Sequence, residues 1–336
     1  MPSRRSLRQR RALVAAAPWA AWAVLRTTGS ERGFPLVPAL SFTPYAAATA
    51  VLPLALAAAA RSRAAALVAA GSAAALAGSV LASSALAGSA LAGSVLSPAR
   101  RPRPTGPLPG GARLRVATVS LRLGLVAPGP VLELVRRHDI DVLAVQELTP
   151  SAEAALRGAG IDGLLPHAHV LPARPGLVPS ASGAVWARLP VAGRTEVPGG
   201  FEQPTVRLET AAGAVELTSV HSIPPLSPRA VRQWRRDLAA LPSPAPGLLR
   251  VLAGDFNATF DHAALRAVLG LGYDDAARAT GQGLVWTWRP LRLPFPRLVL
   301  DHVLVDPRIA VASVDVVPVA GSDHRAVVAE LVLPAG

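Results

Sequence analysis

The sequence contains no cysteine, which excludes disulfides, thiolate nucleophiles and Cys-ligated zinc. It is also short of charge. Only 16% of residues are Asp, Glu, Lys or Arg, against roughly a quarter in an average soluble domain, while 51% are hydrophobic and the mean hydropathy is +0.37. Such a composition argues against a wholly soluble, disordered or collagen-like chain. Acids are scarcest near the start: residues 1–103 hold 12 Arg and the single acid Glu31, a charge of +11, and residues 104–336 carry only +2 of the total +13. A nucleic-acid footprint over the whole chain is therefore not what the basic balance implies; the arginines flank apolar segments, as in membrane topology signals.

Three apolar stretches follow one another in residues 1–97, which read as a membrane region of two to three transmembrane helices. Ala12–Ser30 carries only Arg26, Phe34–Ala60 has no charge but includes Pro38, Pro44 and Pro53, and Ala64–Ala99 is uncharged but rich in Ala, Gly and Ser. Ser3-Arg4-Arg5-Ser6-Leu7 also approximates a twin-arginine signal, so a cleaved leader is the alternative for the first stretch. With five arginines ahead of the first span, the positive-inside rule predicts a multi-pass protein of the cell membrane, N-terminus inside and C-terminal domain extracytoplasmic. Residues 98–112, rich in Pro, Gly and Arg, read as a linker.

Residues 113–336 alternate strand and helix patterns. Leu114–Leu121, Asp141–Gln146, Gly183–Leu189, Val215–Val220, Leu248–Gly254, Leu300–Val305 and Arg325–Leu333 are strand-like. Pro130–His138, Ser151–Arg157 with Ser151 as N-cap, Pro228–Leu241 and Asp261–Leu269 are helical. The pattern predicts an α/β (α+β) domain with one substantial core.

Chemistry-bearing residues gather at strand ends. Glu147 closes the apolar run Val142–Gln146, and Asp255 and Asn257, two apart in an extended segment, close Val251–Gly254. Asp301-His302 opens a strand and Asp323-His324 precedes the last one. Each alone reads as a cap or a surface group. In this order, Gln146-Glu147, Gly254-Asp255-Phe256-Asn257, Asp301-His302-Val303 and Ser322-Asp323-His324, supported by Ser219-Val220-His221 and Thr287-Trp288, resemble the endonuclease/exonuclease/phosphatase superfamily, the fold of DNase I.

The resemblance implies a four-layer sandwich, two packed β-sheets flanked by helices, here preceded by transmembrane helices. It implies that Glu147, with Asp323 as an additional carboxylate, holds Mg²⁺ or Mn²⁺, and that Asp255 orients and deprotonates the attacking water with Asn257 beside it. His324 would contact the phosphate, Asp301 would fix its tautomer, and His221 would protonate the leaving oxygen. Gln146 would support the metal Glu. The sequence departs from the family at Ser120, where an Asn is usual.

Rival hydrolases lack their motifs: His167-Ala168-His169 has no Asp-His continuation and reads as exposed loop, and no GxSxG elbow or GxxxxGK[ST] loop occurs. The reading is a membrane-anchored, divalent-metal-dependent phosphoesterase, foremost a phosphodiesterase or nuclease. Its partners would be a phosphate-ester substrate, whether nucleic acid or phospholipid headgroup, and the lipid bilayer. The alternatives are a lipid-headgroup phosphatase or phosphodiesterase, and a catalytically silent binding domain of the same fold.

Overall fold

The protein is described from a computed structural model, which describes residues 4–84 and 111–335. Twelve strands form two six-stranded mixed sheets. β1 (Arg113–Ser120), β2 (Val142–Gln146), β3 (His167–Leu171), β4 (Gly183–Ala187), β11 (Ala310–Pro318) and β12 (Arg325–Val332) make one, in the order β11-β12-β1-β2-β4-β3. β5 (Val191–Glu196), β6 (Pro204–Thr210), β7 (Gly213–His221), β8 (Leu248–Asp255), β9 (Asp274–Asp275) and β10 (Asp301–Val305) make the other, in the order β5-β6-β7-β8-β10-β9.

β2 is buried along its whole length and apolar up to Gln146, as a strand covered on both faces must be. Alternate residues of β2 point opposite ways: Val142 and Ala144 join the core between the sheets, and Leu143 and Val145 join the core beneath helices. Those helices are α6 (Pro128–Arg137), α7 (Pro150–Gly158) and α8 (Ile161–Leu164). On the second sheet, Val220, Leu252 and Leu304 pack under α9 (Pro228–Ala239) and α10 (Ala263–Gly270), with Trp234 fully buried among them. The expected layers of two sheets flanked by helices are present. α7 begins one residue earlier than expected because Thr149, not Ser151, accepts from the Ala152 amide at 3.2 Å and caps it. His167 and His169 are not in a loop but in β3, where His169 Nδ1 lies 3.1 Å from the Thr205 carbonyl.

The N-terminal region corrects the membrane reading. α1 (Arg4–Thr28) carries arginines through its first two turns and Arg26 in its last. Phe34–Ala60, read as one span, is divided near its prolines into α2 (Leu36–Leu40), α3 (Thr43–Thr49) and α4 (Val51–Ala59), none of which reaches the roughly 20 residues a bilayer core requires. Among the described residues only α5 (Arg63–Ser83) is long and apolar enough to cross a membrane, and it lies inside the chain rather than at its start. One such helix does not make a multi-pass protein, and the extracytoplasmic placement, which depended on three spans, falls with it. The linker at 98–112 lies outside the described residues except for 111 and 112, as does the third stretch beyond residue 84.

The end of α1 and the segment up to α3 instead pack on the second sheet's helical layer. Arg26 pairs with Asp261, the Glu31 carboxylate accepts from the Ala263 amide at the start of α10, and Val37 joins the core under α9 and α10. The buried His262 ring donates through Nε2 to the Val37 carbonyl at 2.8 Å and accepts through Nδ1 from the Thr259 amide at 2.9 Å. Burial, aided by the charges of Arg266 and Arg26 and only partly offset by these hydrogen bonds, holds that ring neutral, with its pKa lowered to about 4.

Candidate active site

The two sheets bring their strand ends to one rim. β1 and β2 run parallel with Ser120 opposite Gln146, and β7 and β8 run parallel with His221 opposite Asp255. β10 runs antiparallel to β8 and sets Asp301 opposite Asp255. A buried polar bridge locks one sheet to the other below the rim. Gln146 accepts from Thr118 Oγ1 at 2.9 Å and donates to Ser219 Oγ at 2.9 Å, and Ser219 donates to the Val145 carbonyl at 3.3 Å. Within the second sheet Gly254 permits the close approach of β8 to β7: a Cβ there would stand 1.9 Å from the Val220 carbonyl oxygen.

Thr287 and Trp288 carry the other two elements into place. Thr287 Oγ1 accepts from the amides of Leu300 and Asp301 at 2.9 and 3.0 Å, and its carbonyl accepts from the Arg325 amide at 2.6 Å. Trp288 Nε1 donates to Asp323 at 3.1 Å. Ser322 closes the rim, donating to the Ser120 carbonyl at 2.8 Å and accepting from the His324 amide at 3.0 Å.

Asp255, Asp301 and His324, all buried, are thereby assembled from three separate elements. His324 Nδ1 donates to Asp301 at 2.9 Å, and His324 Nε2 stands 3.9 Å from Asp255. The three can each offer an atom within 4.8 Å of the others, a spacing that could hold a metal ion. Asn257 sits beside Asp255, donating to it from its amide at 2.8 Å and its side chain at 3.1 Å, and donating to the Ser222 carbonyl at 2.9 Å. Both Glu147 and Asn257 adopt left-handed backbone, with φ of +56° and +46°. Such conformations in non-glycine residues cost of order 1–3 kcal/mol and persist where the surroundings impose them.

Charge here is set by burial and mutual proximity. Burial pushes Asp255 up to about 7, with Asp301 and Glu147 adding to the rise and His324 and the Asn257 amide opposing it. Burial opposes the charge on His324, yet Asp301, then Asp255 and Asp323, outweigh it and lift the imidazole to about 10. Glu147 is raised by burial and by Asp323, against the Leu123 amide that donates to its carboxylate and the nearby His324. Ser120, buried beside that carboxylate, also opposes the rise, although its Oγ makes no hydrogen bond of regular geometry.

His221 is also at the rim. It is buried against Phe201, ring centroids 4.6 Å apart, and Nδ1 has no partner. Burial, with His324 nearby, lowers its pKa to about 3. Sequence reasoning also missed His302, whose Nδ1 meets Asp275 at 2.9 Å and whose Nε2 meets the Ala258 carbonyl at 2.9 Å. Its ring supports β8 from beneath, edge-on to Phe256. The Asp301-His302 pair gave no sign that its two side chains serve opposite sides of the sheet, though period-2 alternation would have separated them.

The comparisons agree with this geometry. A family model described as the endonuclease/exonuclease/phosphatase family matches residues 120–324. Solved structures of similar fold include an endonuclease/exonuclease/phosphatase from Beutenbergia cavernae, at 23% identity and a TM-score of 0.51, covering 66% of this chain and 72% of that one. A humanized D. rerio TDP2 is similar at 13% identity and a TM-score of 0.53, covering 65% and 98%. D. rerio TDP2 complexed with a single-strand DNA product is similar at 14% identity and 0.50, covering 66% and 99%. No curated protein sequence matches the chain. Because the family match runs from Ser120 to His324, over more than half of the chain and from the first to the last residue of the rim, the chain belongs to the endonuclease/exonuclease/phosphatase family and is a metal-dependent hydrolase of phosphate esters.

Proposed function

We propose that the chain is a divalent-metal-dependent phosphodiesterase in which the Asp301–His324–Asp255 line performs the chemistry. The observation that carries this reading is the single imidazole shared between two buried carboxylates, one at 2.9 Å and one at 3.9 Å. Asp255, held in place by Asn257, is the base that takes a proton from the attacking water; with its pKa raised to about 7 it can accept that proton near neutral pH. His324, kept charged by Asp301, faces the phosphate and offsets the charge that builds on it as the ester bond breaks. His221 is held neutral and has no charge to contribute at neutral pH, so we assign the protonated imidazole to His324 alone.

The donor set fits a hard divalent ion, Mg²⁺ or Mn²⁺. Asp323 adds to the cost of ionising Glu147, and Ser120 Oγ beside it makes no hydrogen bond of regular geometry; a cation and its water shell would relieve both. We therefore place the ion with Glu147 and Asp323 and keep Asp301 for His324, to which it is already hydrogen-bonded. When bound, the ion supplies Lewis-acid withdrawal of charge from a phosphate oxygen.

We place the catalytic domain at residues 113–336, with the helices before it seated upon it rather than tethered at a distance. A nucleic-acid backbone is the first substrate class. A phospholipid headgroup is the second, favoured by α5, which has the length and apolar composition of a membrane anchor. The test is hydrolysis of bis(p-nitrophenyl) phosphate by the full chain with Mg²⁺ or Mn²⁺, followed by competition between oligonucleotide and phospholipid.

A further inference from the structure

A pocket of about 430 Å³ opens at the rim and is lined by Asp323, His324, Trp286, Arg289, Arg297 and Arg325. The three guanidinium groups surround one indole. Arg325 Cζ lies 3.5 Å from the Trp286 ring centroid, Arg297 5.4 Å and Arg289 5.6 Å. Stacking on an aromatic face fixes a guanidinium plane while leaving its N–H edge able to grip an oxyanion in bidentate fashion.

These arginines differ from those of the domain that are held in ion pairs. Arg250 pairs with Glu216 and Arg308 with Asp306, whereas among the described residues none of the three around Trp286 meets a carboxylate. Arg289 and Arg297 spend one N–H each on the carbonyls of Leu293 and Pro294. Arg325 Nε is buried and has no hydrogen-bond partner at all. Asp323, the only acid in the lining, is already bonded to Trp288. Three like charges around one side chain repel one another, and among the described residues no carboxylate is paired with them. An anion from outside completes the arrangement.

We propose that Trp286, Arg289, Arg297 and Arg325 form a subsite for a second phosphate group of the substrate, adjacent to the phosphate that is hydrolysed. The inference rests on the phosphoesterase reading of the adjoining residues and narrows it: the preferred substrates are phosphate esters that carry another phosphate within reach of His324, rather than simple mono- or diesters. Arg325 follows His324 directly in β12, so the subsite and the catalytic imidazole are fixed to one another by the backbone.

The experiment compares thymidine 5′-(p-nitrophenyl phosphate) with the same ester bearing a 3′-phosphate, using the full chain and Mg²⁺ or Mn²⁺. The added phosphate should raise kcat/KM by about tenfold or more, the scale of a charge-assisted bidentate contact. In R289Q/R297Q that ratio should fall toward one, and R289K/R297K should restore part of it. A ratio near one in the wild type, or a ratio unchanged in R289Q/R297Q, overturns the proposal. So does stimulation of the plain ester by millimolar inorganic phosphate to the level of the tethered one, which would mean a site for a free anion. If neither ester is hydrolysed, the phosphoesterase reading fails, and the subsite is then decided by calorimetric titration of thymidine 3′,5′-bisphosphate: tighter binding to the wild type than to R289Q/R297Q supports it, and equal binding overturns it.

Discussion

Asp301 and His324 meet at 2.9 Å through one ring nitrogen, and that contact sets the charge of the imidazole at the centre of the site. Asp301→Asn keeps the shape of the side chain and removes its charge, so burial is then opposed only by Asp255 and Asp323 and the pKa of His324 falls from about 10. The alkaline limb of the pH–rate profile should move to lower pH, and turnover should drop by roughly 10²-fold. Profiles of kcat against pH for the two proteins check this. An unmoved alkaline limb would separate His324 from the reaction.

Glu147 and Asp301 are rival seats for the ion, because Asp255, Asp301 and His324 form the tightest group of ligand atoms while Glu147 and Asp323 lie beside it. Glu147→Gln should raise the Mg²⁺ concentration needed for half-maximal activity by at least about tenfold, whereas Asp301→Asn should leave it within about twofold. The reverse ranking, read by metal titration, would move the ion to the Asp301 side.

Ser120 presents to the Glu147 carboxylate a buried hydroxyl that makes no hydrogen bond of regular geometry. An Asn there reaches further and offers both donor and acceptor. Ser120→Asn should lower the Mg²⁺ concentration for half-maximal activity, and Ser120→Ala should raise it; changes in supporting residues typically amount to about 10–100-fold. Loss of activity in Ser120→Asn with a neutral Ser120→Ala would show a site rebuilt around serine.

Docking of the N-terminal helices should weaken in acid. His262 is neutral when folded, with a pKa of about 4, while in the unfolded chain it titrates near 6.5. Above pH 6.5 neither state is protonated and the bond to Val37 is intact. Between pH 6.5 and about 4 only the unfolded state binds the proton, so stability falls through that window by about 3 kcal/mol and levels off below it. Hydrogen exchange of residues 26–40 against pH measures the effect. Protection that stays constant from pH 7 to 4.5 would contradict it.

Much of the site was legible because it sits at the ends of continuous apolar strands, where a carboxylate after Val142–Gln146 or Leu248–Gly254 stands out against its background. Thr287-Trp288 was legible as a motif, but its work, tying Asp301 to His324 through backbone amides, depends on pairings between elements that sequence order does not reveal. β3, β5, β6, β9 and β11 went unread, most of them short or half-exposed with broken alternation. The N-terminal apolar stretches misled for a related reason. Composition registered Val37 and Leu40 as lipid-facing, whereas both are buried by protein, and the contacts that seat this segment join residues more than 200 positions apart. Likewise Trp286, Arg289, Arg297 and Arg325 are unremarkable in sequence and become a cluster only where β12 returns past the loop after Thr287.

The central claim is that a divalent ion and the Asp255 carboxylate together hydrolyse a phosphate ester at this rim. Its most direct test is hydrolysis of bis(p-nitrophenyl) phosphate by the full chain and by Asp255→Asn, each with Mg²⁺ and with EDTA, alongside their melting curves. The account expects turnover by the wild type that EDTA abolishes, and a loss of about 10²–10⁴-fold in Asp255→Asn with its fold intact. Turnover that survives EDTA, or an Asp255→Asn protein as active as the wild type, would contradict it.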